Sequence, residues 1–199
     1  MRIRFALAGV ALIAVLLAAL AAPGSAASAV EWTDPAGDAN GLPRVESSPR
    51  PSDPELDVLN ASFALKGDSL VAAARVQKMG IAQGSFGSVY RFYFKHKTSS
   101  YYFQARTATA EYDQLYYSTP GFYRESADGV TDPEVLKCDC KASFDTKTNT
   151  ATFSIKTEGI RKTLKGGDMT GLYVQTYRRY PNFIPGDKAS APEKSAVTL

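Results

Sequence analysis

The chain reads as an all-β protein, an antiparallel β-sandwich of the two-sheet jelly-roll or immunoglobulin-like kind, preceded by a cleavable signal peptide. Three observations predict the sandwich. Successive short runs alternate apolar and polar residues with period two, turn-forming residues separate the runs, and no segment carries a sustained helical apolar stripe. The first run, "LDVLNASFAL" (56–65), sets Asp57, Leu59, Ala61, Phe63 and Leu65 on one side, apolar after its first member. "KGD" (66–68) is a turn, and "SLVAAARVQ" (69–77) answers it to make a hairpin. "SVYRFYFKHK" (88–97) and "SYYFQARTAT" (100–109), joined through "KTSS", form a second pair rich in the Tyr and Phe that suit pleated, half-buried surfaces. Tyr90, Phe92 and Phe94 share one face with Tyr93 opposite, and Tyr101 and Phe103 oppose Tyr102. One face of each sheet must be core, which leaves the other to present tyrosines with Arg91 and Arg106. "AEYDQLYYST" (110–119) is a candidate fifth strand. "LKCDCKASFD" (136–145), the turn "TKTN", "TATFSIKTE" (150–158) and "GLYVQTYRRY" (171–180) complete the strands, with one short helical turn expected in "GIRKTLKGGD" (159–168). "DKASAPEKSAVTL" at the C-terminus reads as a polar tail.

The N-terminus sets the compartment. Arg2 and Arg4 precede an apolar run from Phe5 to Ala22, which Pro23 and Gly24 break before a series of small residues. This is the three-part layout of a secretory signal, with cleavage expected after Ala29 or Ala26. The rival, a retained membrane anchor, fits the length of the run, but the small-residue exit favours removal. The expected division is a signal peptide at 1–29, an irregular entry segment at 30–55 with five prolines, and the sandwich at 56–199. The protein is expected to be secreted or extracytoplasmic, touching the membrane only through signal-peptide targeting.

The chain carries 23 basic and 20 acidic residues. Without Arg2 and Arg4 the balance is 21 against 20. So even a balance supplies no electrostatic footprint for nucleic acid, and no nucleic-acid partner is expected. Catalysis is thinly provided for. His96 is the sole histidine, no nucleophile elbow precedes a helix, and "QGSFGS" lacks the lysine of a phosphate loop. The chain is not expected to be an enzyme, nor to hold an organic cofactor.

Three groups of residues carry what chemistry there is. In "DPAGD", Asp34 and Asp38 flank Pro35 and Gly37, offering two carboxylates from one turn to a cation, or serving as ordinary turn formers. In "YYSTPGFYR", Tyr116, Tyr117, Phe122, Tyr123 and Arg124 read as a loop, and exposed aromatics in a loop call for a ligand, either a sugar ring or a partner protein. Cys138 and Cys140 are the only thiols, and an even pair in an exported chain suggests a disulfide. On an extended strand they would stand about 7 Å apart on one face, too far to close without a local kink. A free thiol pair, a metal pair or an intermolecular link therefore stays open as the alternative, and the Cys-x-Cys spacing departs from the Cys-x-x-Cys usual for a redox-active dithiol.

The order of elements, with "DPAGD" before "PELDVLNASFALKGDSLVAAARV" and "ASFDTKTNTATFSIKTEGI" before "LKGGDMTGLYVQTY" and "GDKASAP", resembles the secreted β-sandwich domains related to family 9 carbohydrate-binding modules and the DOMON superfamily. The likeness spans about residue 34 to the C-terminus. It implies sugar binding, or haem binding in some branches, with calcium held near strand ends, and it matches Asp34, Asp38, Asp57 and Asp187 to the calcium ligands. The chain departs from that pattern in having Trp32 alone where sugar binders pair tryptophans, and only His96 and Met79 as haem-ligand types. The resulting expectation is an exported, non-catalytic binding module for carbohydrate or cell-surface glycan, with calcium as a structural ion. The alternative is an envelope structural or protein-interaction domain with no small-molecule ligand.

Overall fold

The structure, a computed structural model, describes residues 29–39, 54–79, 88–107, 120–127, 131–180 and 182–199. These residues fold into two antiparallel sheets packed face to face, the β-sandwich that the alternation predicts. In chain order the elements are β1 (Ala29–Thr33), β2 (Val58–Lys66), β3 (Ser69–Val76), β4 (Ser88–His96), β5 (Ser99–Arg106), β6 (Gly121–Arg124), β7 (Glu134–Leu136), β8 (Cys140–Asp145) and β9 (Thr150–Lys156). After them come α1 (Thr157–Leu164), β10 (Asp168–Tyr180), β11 (Asn182–Ser190) and β12 (Ala196–Thr198). One sheet runs β1-β2-β3-β9-β8; the other runs β11-β10-β4-β5-β6-β7, with β12 also paired to β10.

The two hairpins form as their turns dictate. Lys66 pairs with Ser69 across Gly67-Asp68, and His96 pairs with Ser99 across Lys97-Thr98. β9 shows the period most plainly: Ala151, Phe153 and Ile155 are buried while their neighbours are not. The inner faces meet in an aromatic core. Phe153 stacks on Phe103 of the opposite sheet at 4.8 Å between centroids, and Phe63 meets Phe92 edge-on at 6.2 Å. The helix continues β9 and lays Ile160 and Leu164 onto the same core, ending at Lys165 in a left-handed conformation.

The outer face of the second sheet carries a separate layer. Tyr123, Tyr102, Tyr93 and Tyr173 stand in one row across β6, β5, β4 and β10. Neighbouring centroids in that row lie 4.9, 5.1 and 4.4 Å apart. One row along, the Arg91 guanidinium sits over the Tyr102 and Tyr177 rings at 4.7 and 4.9 Å and donates to Gln104 Oε1 at 2.8 Å. A cation over a ring face is worth about 0.5–2 kcal/mol, so this layer is packed rather than merely displayed.

Several elements differ from the reading of the sequence, among them β6, which falls in the stretch that reads as a loop. β1 begins at Ala29, the last residue of the expected signal peptide, and continues into the segment expected to be irregular. β11 and β12 take up residues expected as a polar tail. The run 136–145 is two strands rather than one: β7 ends one sheet, β8 ends the other, and residues 137–139 cross between them. The candidate strand at 110–119 lies outside the described residues.

Candidate metal centre

Three carboxylates meet at the end of the sandwich where β1 stops and β2 begins, and the charge of a fourth, Asp57, is felt at two of them. The β1–β2 ladder runs to Thr33 opposite Asn60, and the Asp34 N–H extends it by donating to the Leu59 carbonyl at 3.2 Å. The chain then turns. Gly37 has φ +87°, where a side chain would be strained, and its N–H donates to Asp57 Oδ2 at 2.8 Å. That bond ties the loop to the residue that enters β2. Asp57 is completely buried, and its Oδ1 has no hydrogen-bond partner among the described residues.

The other sheet supplies Asp187. The β10–β11 register slips between Gln175 and Tyr177. The buried Thr176 in that slip donates its hydroxyl to the Leu56 carbonyl at 2.7 Å and accepts the Asp187 N–H at 2.9 Å. Gly186 permits the close approach, since a Cβ there would sit 2.6 Å from the Leu56 side chain and 2.8 Å from Thr176 Oγ1. The Asp187 carboxylate in turn accepts the Val58 N–H at 2.8 Å and the Lys188 N–H at 2.6 Å, so it braces one sheet to the other.

The outcome is a cluster in which one carboxylate oxygen from each of Asp34, Asp38 and Asp187 lies within 4.8 Å of the others. Burial, followed by the charges of Asp187, Asp38 and Asp57, pushes the Asp34 carboxyl up to about 6. Asp187 is also raised, chiefly by burial; its bonds from Val58 and Lys188 oppose this, and the charges of Asp38 and Asp57 reinforce it. Like charges held this close repel, and a divalent cation among them would reverse the sign of the interaction. An all-oxygen, anionic donor set with a buried, unpartnered carboxylate oxygen suits a hard ion such as calcium. Of the four acids expected from the resemblance, the fold gathers Asp34, Asp38 and Asp187, while Asp57 stays outside the cluster and acts on Asp34 and Asp187 through its charge. Thr176, Gly186 and Val58, which hold Asp187 in place, carried no sequence signal, because their role depends on a bulge.

The other expected residues are scattered. Phe122 and Tyr123 are not loop residues: they lie on β6 with both rings fully buried, Phe122 in the core and Tyr123 in the outer tyrosine row. Arg124 is exposed, forms an ion pair with Glu134, and lines an open polar cleft of about 450 Å³ with Ser99, Ser100 and Glu125. Tyr116 and Tyr117 lie outside the described residues. Cys138 and Cys140 are bonded to each other, because residues 137–139 turn the corner between the sheets and bring their Cα atoms to 5.3 Å. His96 is buried with Nδ1 3.1 Å from the Asp168 carbonyl, and Met79 is packed into the core.

No family model, curated protein or solved structure matches this chain.

Proposed function

We propose that the chain is an exported, non-catalytic binding module for carbohydrate, with a calcium ion bracing one end of its sandwich. The observation that carries this reading is the convergence of Asp34, Asp38 and Asp187 on one point, beside the buried and unpartnered Oδ1 of Asp57. Asp34 and Asp38 come from the loop after β1, Asp57 from the entry to β2 and Asp187 from the opposite sheet. An ion there would fasten three separate segments. Without it the fold would carry the repulsion uncompensated.

The ligand side rests on the cleft at the turn end of β4 and β5. It is of a size that takes a small ligand, and it offers the Ser99 and Ser100 hydroxyls, the Glu125 and Glu134 carboxylates and the Arg124 guanidinium. Such a mixture of donors and acceptors fits sugar hydroxyls better than an apolar peptide. The Glu125 charge is felt at the half-buried Tyr173, whose phenol is held protonated by burial first and then by Tyr93 and Glu125.

The test is a glycan array probed with the mature chain in calcium, repeated with Glu125→Gln. Binding to a defined glycan class that weakens at least tenfold in the variant supports the reading. No glycan bound, with an envelope protein captured instead, would turn the assignment to the interaction domain.

A further inference from the structure

We propose that the Cys138–Cys140 disulfide is an exchangeable oxidant for dithiols of exported proteins, a function separate from ligand binding. A disulfide that closes so small a loop is a weak staple. The chain entropy that a bridge removes grows with the loop it closes, and here the two cysteines are only two positions apart. Nor does the bond join the sheets. β7 is held to β6 by its own ladder, from Phe122 opposite Leu136 to Arg124 opposite Glu134. β8 is held to β9 over six pairs, from Cys140 opposite Ile155 to Asp145 opposite Thr150. Opening the bond leaves both ladders in place.

The setting favours exchange. Both cysteines are half-buried on the corner between the outermost strands of the two sheets, with their apolar side against the core. The flanking Lys137, Asp139 and Lys141 are all exposed, so among the described residues no layer of chain covers them against an incoming thiol. Two ammonium groups against one carboxylate favour the thiolate that leaves when the bond is attacked. The Cα separation of 5.3 Å lies within the ordinary range for a bridge, so the bond can open and close without moving the backbone. The chain has no third cysteine to capture either sulfur.

The exchange balances as follows. A client thiolate attacks one sulfur of the pair, the S–S bond breaks, and a mixed disulfide forms while the other cysteine leaves as a thiolate. The client's second thiolate then attacks the client sulfur of the mixed disulfide. The client departs as a disulfide, Cys138 and Cys140 remain as a dithiol, and the two protons released by the client thiols are taken up by theirs. Two electrons pass from client to protein.

The experiment incubates the folded mature chain with a reduced two-cysteine peptide, traps free thiols by alkylation and reads both molecules by mass spectrometry. The expected result is stoichiometric peptide oxidation with Cys138 and Cys140 alkylated, and a reduced chain that still melts cooperatively. A second variant, Cys140→Ser, leaves one thiol and is expected to form a mixed disulfide with oxidised glutathione under native conditions. A bond that resists millimolar glutathione in the folded chain and opens only on unfolding overturns the proposal. So does collapse of the fold on reduction, which would make the bond a structural staple.

Discussion

Asp57→Asn separates a cation site from an ordinary buried carboxylate, because the two accounts give opposite signs. The wild-type side chain is fully buried, gives one oxygen to the Gly37 N–H and leaves the other without a partner among the described residues. Asparagine keeps an oxygen for Gly37, removes one negative charge and places an amide donor among the remaining carboxylates. Two unit charges about 6 Å apart repel by about 3 kcal/mol at an effective dielectric constant of about 20, which solvent at the part-exposed Asp34 and exposed Asp38 reduces to about 1 kcal/mol. Summed over its neighbours, the substitution should stabilise the calcium-free chain by about 1–2 kcal/mol, raising its melting midpoint by about 3–6 °C. In calcium the same change removes a negative charge close to the three converging carboxylates and should weaken affinity by tenfold to a hundredfold, about 1.4–2.7 kcal/mol. Paired thermal melts in chelator and in millimolar calcium read both effects. A variant that loses the same stability in both buffers would refute the reasoning, and Asp57 would then be a structural acceptor.

Three further outcomes follow from the same geometry. Asp34 titrates near 6 in the folded chain against an ordinary 3.8, so folding tightens its hold on a proton. That contribution is full below pH about 4 and is lost as pH rises through about 6. Calcium-free melts should therefore show a midpoint falling between those values, and Asp34→Asn should flatten the slope; an unchanged slope in that variant would place the dependence elsewhere. Asp38 is exposed, so Asp38→Ala should weaken calcium binding at least tenfold by titration calorimetry while shifting the chelator melt by less than about 0.5 kcal/mol. Phe153 spans the two sheets against Phe103, and Phe153→Ala should cost about 3–5 kcal/mol in denaturant unfolding. A loss below about 1 kcal/mol there would mean that the two sheets do not share this core.

The hairpins were legible because everything that specifies them is local. Gly67-Asp68 turns the chain, and the alternating residues on each side decide which face is buried. The split of Tyr90, Phe92 and Phe94 from Tyr93, and of Tyr101 and Phe103 from Tyr102, was legible for the same reason. What escaped depends on partners far along the chain. β1 is a strand because Ala29 to Thr33 find Ala64 to Asn60, although the surrounding prolines and acids suggest a loop. β12 has three residues and exists because Asp168 to Thr170 lie beside it. In β11, Pro185 and Gly186 hide the strand, and that glycine is what lets Asp187 reach the acid cluster. The corner at 137–139 is invisible in an alternating pattern, so Cys138 and Cys140 looked too far apart to bond without a local kink. "YYSTPGFYR" shows the converse error. The stretch reads as a loop, whereas Gly121 to Arg124 pair with β5, and Phe122 and Tyr123 are spent on packing.

The account stands or falls on whether the cluster of Asp34, Asp38 and Asp187 holds a cation. A thermal melt of the chain in millimolar calcium and then in chelator reads this directly. A ligand present at about 100 times its dissociation constant, binding only the folded state, adds about 2.7 kcal/mol. For a domain of this size, calcium should then raise the midpoint by about 5–10 °C. Identical midpoints in the two buffers would contradict the account, and leave "DPAGD" as a turn whose acids serve the backbone alone.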